Sequence, residues 1–324
     1  MARSTGIGSM PGTDLLETSK IAFGEAEDLP FLPELPARGP HAAAVGRTLA
    51  MIGELGADLQ PDGWRIGVGQ GVDQRRARSL LAQDLDVVEE LAHEHDGPLK
   101  VQVVGPWTLA ASVEHPRGEK MLADHGARRE LGEALSIGLA DHLADVRRRF
   151  PRAQLVAQVD EPGLRAVLDG TVPTASGYRR LRSVDLPEVD ALLRPVVEVI
   201  TAANALPVVH SCAPRVPVGL LRGAGFRAVA VDLSLVAPDD AWGEAFDTGT
   251  DLWLGAVPST DPSSGWSPDA ATTAIERFFG ALGFEPVSFA DRLVVTPACG
   301  LAGATPAWSR AALAHARSIA SRFA

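Results

Sequence analysis

The chain has 324 residues, 46% hydrophobic and 22% charged, enough to bury a full core as one or two domains. Its 41 acidic against 30 basic residues give a net charge of −11, which excludes the basic face that nucleic acids or an anionic membrane surface need. Two cysteines exclude a disulfide scaffold and point to a cytoplasmic protein, and no apolar run approaches the roughly 20 residues of a membrane span.

In chain order, short β-branched runs alternate with longer helical patterns. The sequence opens without an apolar stretch of the kind a secretory signal carries. Thr5–Ser9 reads as a first strand. Leu29–Pro40 holds four prolines and reads as an extended loop, because each proline fixes φ and removes a donor. Arg65–Gly69 reads as a second strand, followed by a helix over Gln74–Glu94 with apolar residues, Leu81, Leu85, Val88 and Leu91, three and four apart. Lys100–Val104 is a third strand and Glu130–Arg148 a second helix. Gln154–Asp160, Pro207–Cys212, Arg227–Leu233, Asp251–Val257 and Arg292–Thr296 complete eight strands. Helical patterns follow at Leu186–Ala203, Pro217–Gly223, Asp239–Phe246, Asp269–Leu282 and Pro306–Phe323, and Pro258–Pro268 is a second loop.

Most of these strands are almost continuously apolar, the mark of parallel strands covered on both faces. Eight of them alternating with helices predict a (β/α)8 TIM barrel, a single domain over 1–324. An open doubly wound sheet is the alternative. It lacks support because Gly67-Val-Gly69-Gln-Gly71 does not have the dinucleotide-binding spacing.

A barrel of this kind places its chemistry at the C-terminal ends of the strands. The fifth strand ends in His210-Ser211-Cys212, whose first and third residues share a face, and Cys299 follows the eighth strand. Imidazole and two thiolates on one rim predict zinc; three buried, metal-free side chains are the plainer alternative. Asp232, at the end of the sixth strand, is a candidate fourth ligand or a turn cap. In Asp160-Glu161-Pro162 either carboxylate could cap a following helix, and a second one on the rim could hold a substrate ammonium. Ile7-Gly8-Ser9 leads from the first strand, with Ser9 placed to meet a carboxylate. Trp107, in Gly105-Pro106-Trp107, is either a stacking wall for a ligand or part of the core. His93, His95, His115, His125, His142 and His315 read as surface or packing residues.

Ile7-Gly-Ser9, Gln158-Val-Asp-Glu-Pro162, His210-Ser-Cys212 and Pro297-Ala-Cys299-Gly-Leu301, in this order, resemble the C-terminal catalytic domain of cobalamin-independent methionine synthase. Gly105-Pro-Trp-Thr-Leu109 also resembles the related uroporphyrinogen decarboxylases, which lack the His-x-Cys and late Cys. The resemblance implies a methyltransferase of methionine biosynthesis: zinc held by His210, Cys212 and Cys299 activates the homocysteine thiol toward the methyl donor. It also implies that Asp160 holds the homocysteine amino group and that Ile7 and Ser9 meet its carboxylate. Four departures stand out. Asp232 replaces the family's metal-binding Glu. Ala111 stands where a donor-stacking Trp is expected. Ala298 and the residue after Cys299-Gly-Leu301 lack the family's charges. The N-terminal half of the long enzymes has no counterpart in this sequence. The donor is then methyltetrahydrofolate or a methyl-corrinoid, with a corrinoid protein as a possible partner. The alternatives are a corrinoid-linked methyltransferase for another thiol and a non-catalytic barrel with a structural metal.

Overall fold

The computed structural model describes residues 1–69, 71–262 and 265–323. Seven parallel strands form one curled sheet in the order β4-β5-β6-β7-β8-β9-β1. They are β1 (Arg3–Ser4), β4 (Pro98–Val104), β5 (Gln154–Asp160), β6 (Leu206–Ser211), β7 (Ala228–Asp232), β8 (Asp251–Val257) and β9 (Leu293–Pro297). A separate antiparallel hairpin joins β2 (Gly56–Gln60) to β3 (Gly63–Gly67). No described helix is long and apolar enough to cross a membrane.

Side-chain parity explains the two cores. Odd-numbered residues of β5 (Leu155, Ala157, Val159) and their counterparts Val209, Val229, Leu252 and Val295 face the outer helices and join the large core. Val156, Val208, Ala228, Ala230, Trp253 and Val294 form a second apolar cluster on the other face. Strands coated on both faces are what the continuous apolar runs require. Trp253, fully buried, fills the concave side. The same inward parity carries Lys100, Gln102 and Gln158, all buried, and beyond them along β5 and β6 Asp160 and His210.

Among the described residues the ladder does not close by a regular strand between β1 and β4. This revises the expectation of eight regular strands. Arg65–Gly69 belongs to the hairpin, and the first strand is regular only over Arg3–Ser4. The gap is filled by the proline-rich segment instead. Phe31 bridges Lys100 and Glu34 bridges Ser9, both parallel. Leu32 N donates to Lys100 O at 2.9 Å and Glu34 N to Gly8 O at 3.1 Å. Pro30, Pro33 and Pro36 have no N–H to give, so only isolated bridges form where a ladder would run.

The long helices match their patterns within a few residues, at Val72–Ala92, His125–Arg149, Leu186–Ala202, Pro268–Ala281 and Pro306–Ala320. Short helices at Leu15–Glu25, Ala44–Met51 and Pro106–Ser112 go beyond the sequence reading. Of the second predicted loop, Ser263 and Ser264 lie outside the described residues, as does Gln70 of the Gly67–Gly71 stretch.

His142, on the underside of the helix His125–Arg149, is buried as the packing role predicts. Burial pulls its imidazole down from 6.5 to about 4, helped by Arg47 and Arg149 against Asp145. The unfolded chain therefore binds this proton at a higher pH than the native one, and stability falls as pH drops from 6.5 to 4. In urea unfolding, His142→Leu is expected to flatten that acid limb by about 3 kcal/mol relative to the parent; equal pH slopes would contradict the assignment.

Candidate active site

The strand register puts the site together. Val104 of β4 pairs with Asp160 of β5, and Asp160 pairs with His210 of β6. These three residues stand level at the C-terminal edge and line a cavity of about 330 Å³. Ile7, Ser9, Glu34, Cys212 and Cys299 complete its chemically active lining.

His210, Cys212 and Cys299 bring their ligand atoms within 4.8 Å of one another. The two thiols stand 2.9 Å apart and are free, well beyond the ~2.0 Å of a disulfide bond. Cys299 Sγ lies 4.0 Å from His210 Nε2. The Cys212 thiol and the His210 imidazole beside it hold Cys299 below the usual thiol range, and Cys212 is pushed up in return. A sulfur pair that readily carries negative charge, beside an imidazole that has no hydrogen-bond partner on its buried Nδ1, suits a soft divalent metal.

Asp160 is fixed by Gln158 Nε2, which donates to Oδ1 at 2.7 Å and also to Ile7 O at 2.8 Å. Burial pushes the Asp160 carboxyl up to about 7, opposed by His210, Lys100 and the Gln158 bond. Ile7 O accepts a second bond from Lys100 Nζ at 2.7 Å. Ser9 sits against Gly300, where a Cβ would fall 2.0 Å from the Ser9 hydroxyl. Leu301 N donates to Ser9 O at 2.7 Å, so the first and last loops are stitched together at the cavity.

Three of the residues singled out from the sequence stand elsewhere. Glu161 is fully buried and accepts from Trp107 N (2.9 Å), Thr108 N (2.8 Å) and Thr108 Oγ1 (2.7 Å). It caps the helix Pro106–Ser112 from 54 residues away, and Gly105 is required because a Cβ there would lie 2.3 Å from Glu161 Oε1. Burial pushes its carboxyl up to about 7, while those three bonds pull it down. Trp107 is a core residue: it is fully buried, and its indole N–H donates to Val189 O. As the second residue of a capped helix it turns away from the cavity. Asp232 ends β7 with the inward parity, but its Oδ1 accepts from Ser234 N at 2.9 Å and Ser234 Oγ at 2.7 Å, capping a 3-10 turn. It lies outside the group of converging ligand atoms.

The sequence reading missed the buried charges. Glu34 is 4% exposed, in the proline-rich segment, and receives Gln102 Nε2 at 3.2 Å with Arg47 Nε at 3.7 Å. Arg47 is held by Asp84 at 2.5 Å, which also receives both terminal nitrogens of Arg38. Burial pushes Glu34 up, chiefly against Arg47. Lys100, fully buried, lies 5.5 Å from the centre of the Phe31 ring. Burial pulls its ammonium down to about 7, against Asp160 and Glu34. Three cations, Lys100, Arg47 and Arg38, thus accompany three carboxylates, Asp160, Glu34 and Asp84, as buried charge requires.

If Glu161 is a cap, Glu161→Gln places an NH2 where donors need an acceptor and costs about 1–3 kcal/mol of stability. Cys212 and Cys299 in the folded variant are expected to titrate with a thiol reagent as in the parent; an unchanged melting curve would contradict the capping role.

Comparison with known proteins bears on the family and the fold. Residues 123–322 match the family model described as the catalytic domain of cobalamin-independent synthase. No curated protein matches the chain. Among solved structures, a B12-independent methionine synthase from Shewanella sp. W3-18-1, in complex with selenomethionine, superposes with a TM-score of 0.58. It is 10% identical over 99% of this chain and 97% of that one, which shows a shared fold. An oxaloacetate acetylhydrolase bound to oxalate is 15% identical over 94% of this chain and 78% of its own, with a TM-score of 0.39. The corrinoid protein considered as a partner finds no support in these matches. From its match over most of its length, the chain belongs to the cobalamin-independent methionine synthase catalytic-domain family and is a methyltransferase.

Proposed function

We propose that this methyltransferase is a single (β/α)8-type unit that makes methionine from homocysteine in the cytoplasm, with one zinc ion held by His210, Cys212 and Cys299. The observation that carries the reading is the convergence of these three side chains on a cavity that also holds Asp160. A metal kept only for stability would have no need of a cavity with buried carboxylates at its edge. A reducing compartment suits two free, closely spaced thiols.

Imidazole and thiolate donors favour zinc, which would lower the pKa of the homocysteine thiol so that it is a thiolate at neutral pH. With Asp232 engaged by Ser234, His210, Cys212 and Cys299 would be the residues that hold the metal, a set of three that would leave room for the substrate sulfur, as catalytic rather than structural sites do. Asp160 receives the substrate ammonium, with Glu34 as a second carboxylate on the same wall. The Ile7–Ser9 segment meets the substrate carboxylate, its own carbonyls already bound by Lys100, Gln158 and Leu301. The sulfur attacks the donor methyl, and the electron pair of the breaking bond leaves with the donor. Methyltetrahydrofolate is the donor we favour.

Purified protein is expected to carry about one zinc per chain, and Cys212→Ser to lose it with the circular dichroism spectrum unchanged. Homocysteine added to the zinc form should release about one proton per site. Absence of that release, or methyl transfer by a metal-free preparation, would end this reading. Asp160→Asn is expected to raise the KM for homocysteine by roughly tenfold or more, as loss of one charged contact does, with zinc content unchanged. Parallel assays with methyltetrahydrofolate and methylcobalamin identify the donor.

A further inference from the structure

One wall of the cavity is a single stretch of chain, which gives Glu34, Pro36, Ala44 and Val45 to its lining. The stretch runs from the proline-rich segment through the 3-10 turn Pro36–Arg38 into the helix Ala44–Met51. Its backbone is anchored at Glu34, whose N–H donates to Gly8 O and whose carbonyl accepts from Met10 N at 2.8 Å. Those bonds fix the main chain of Glu34. Its carboxylate is placed by side chains.

The side chains come from behind the wall. Asp84, 4% exposed on the helix Val72–Ala92, accepts from Nη1 and Nη2 of Arg38 at 2.8 and 2.6 Å and from Nη1 of Arg47 at 2.5 Å. One carboxylate thus ties the turn at the start of the wall to the helix at its end. Arg47 is buried, and its Nε lies 3.7 Å from Glu34 Oε1. A guanidinium presents its donors along the edges of a rigid plane, so the grip of Asp84 on one edge aims another at Glu34. Of the groups around Glu34, Arg47 does most to offset the cost of burying its charge; Gln102 and Lys100 follow, and Asp84 opposes them. Lys100 is already bound to Ile7 O at 2.7 Å. Arg47 itself is not a lining residue, so it reaches a ligand only through Glu34. A buried carboxylate can meet an ammonium group only while it is ionised and aimed at it.

We propose that Arg47, held by Asp84 together with Arg38, is the positioning residue that keeps the Glu34 carboxylate ionised and turned to the cavity, and that this clamp makes the site select ligands that carry an ammonium group. The choice of ligand class rests on the methionine-forming reading. The selectivity is then set from outside the pocket, by a carboxylate on a helix of the outer layer.

The test compares two ligands that differ only in the amine, L-methionine and 4-(methylthio)butanoate. Their binding to the purified protein is measured by calorimetry for the parent, Arg47→Met and Arg47→Lys, with a melting curve for each. The parent is expected to bind methionine about tenfold or more tightly than the amine-free compound, as one charged contact provides. In Arg47→Met the two should come within roughly threefold, with the affinity for 4-(methylthio)butanoate close to that of the parent. Lysine keeps the charge but has no fork to span both carboxylates, so Arg47→Lys should retain an intermediate preference. It carries the test should Arg47→Met not fold. A preference for methionine that survives in the folded variants, or an equal weakening of both ligands, which is what a purely structural role gives, overturns the proposal. A parent that binds methionine but does not prefer it overturns the proposal alone. A parent that binds neither ligand fails the methionine-forming reading and takes this proposal with it.

Discussion

The site depends on one constraint, the register of parallel strands. Adjacent strands in register carry side chains of equal parity to the same face at the same height. Asp160 and His210 therefore stand side by side because β5 and β6 pair as they do. A shift of one residue in either strand would turn an inward carboxylate or imidazole into the helix layer, where it would be buried without a partner. The continuous apolar coating of the outer faces, from Val159, Val209 and Val229, fixes the register that the polar ends need.

Below the reacting groups, the concave side of the sheet sets buried ionic and apolar side chains beside each other at the same height. Lys100 pairs with Val156, and Gln102 and Gln158 are level with Val208. Lys100 serves both carboxylates electrostatically and also binds the Ile7 carbonyl. The same ammonium thus sets the charge of the site and the position of the backbone at its edge. Asp84 and Arg47 repeat the pattern one layer outward, so Glu34 is set by a chain of ion pairs that reaches the helix Val72–Ala92.

Some of this was legible in the sequence and some was not, for reasons that differ by residue. His210, Cys212 and Cys299 are rare residue types at the ends of apolar strands, so type and place point the same way. Gly105-Pro-Trp and Asp-Glu-Pro162 look like two separate motifs. They are two halves of one helix cap, which only a contact across 54 residues reveals. Trp107 and Glu161 were candidates for ligand contact for that reason, and their partners are backbone groups. Lys100 and Glu34 were invisible because a charge inside an apolar strand or among prolines carries no local signal of burial. The proline run read as a loop by every local rule, and its position beside the sheet comes from backbone bonds to Lys100 of β4 and to Gly8 and Met10.

That run gives the molecule a seam. Strands β4 to β9 are zipped to one another by regular ladders, whereas this segment is tacked by isolated bridges at Phe31 and Glu34. The stave that parts most cheaply from the sheet is also the one that carries Glu34 to the cavity wall. The prolines that weaken the zipper also limit how far this segment can bend.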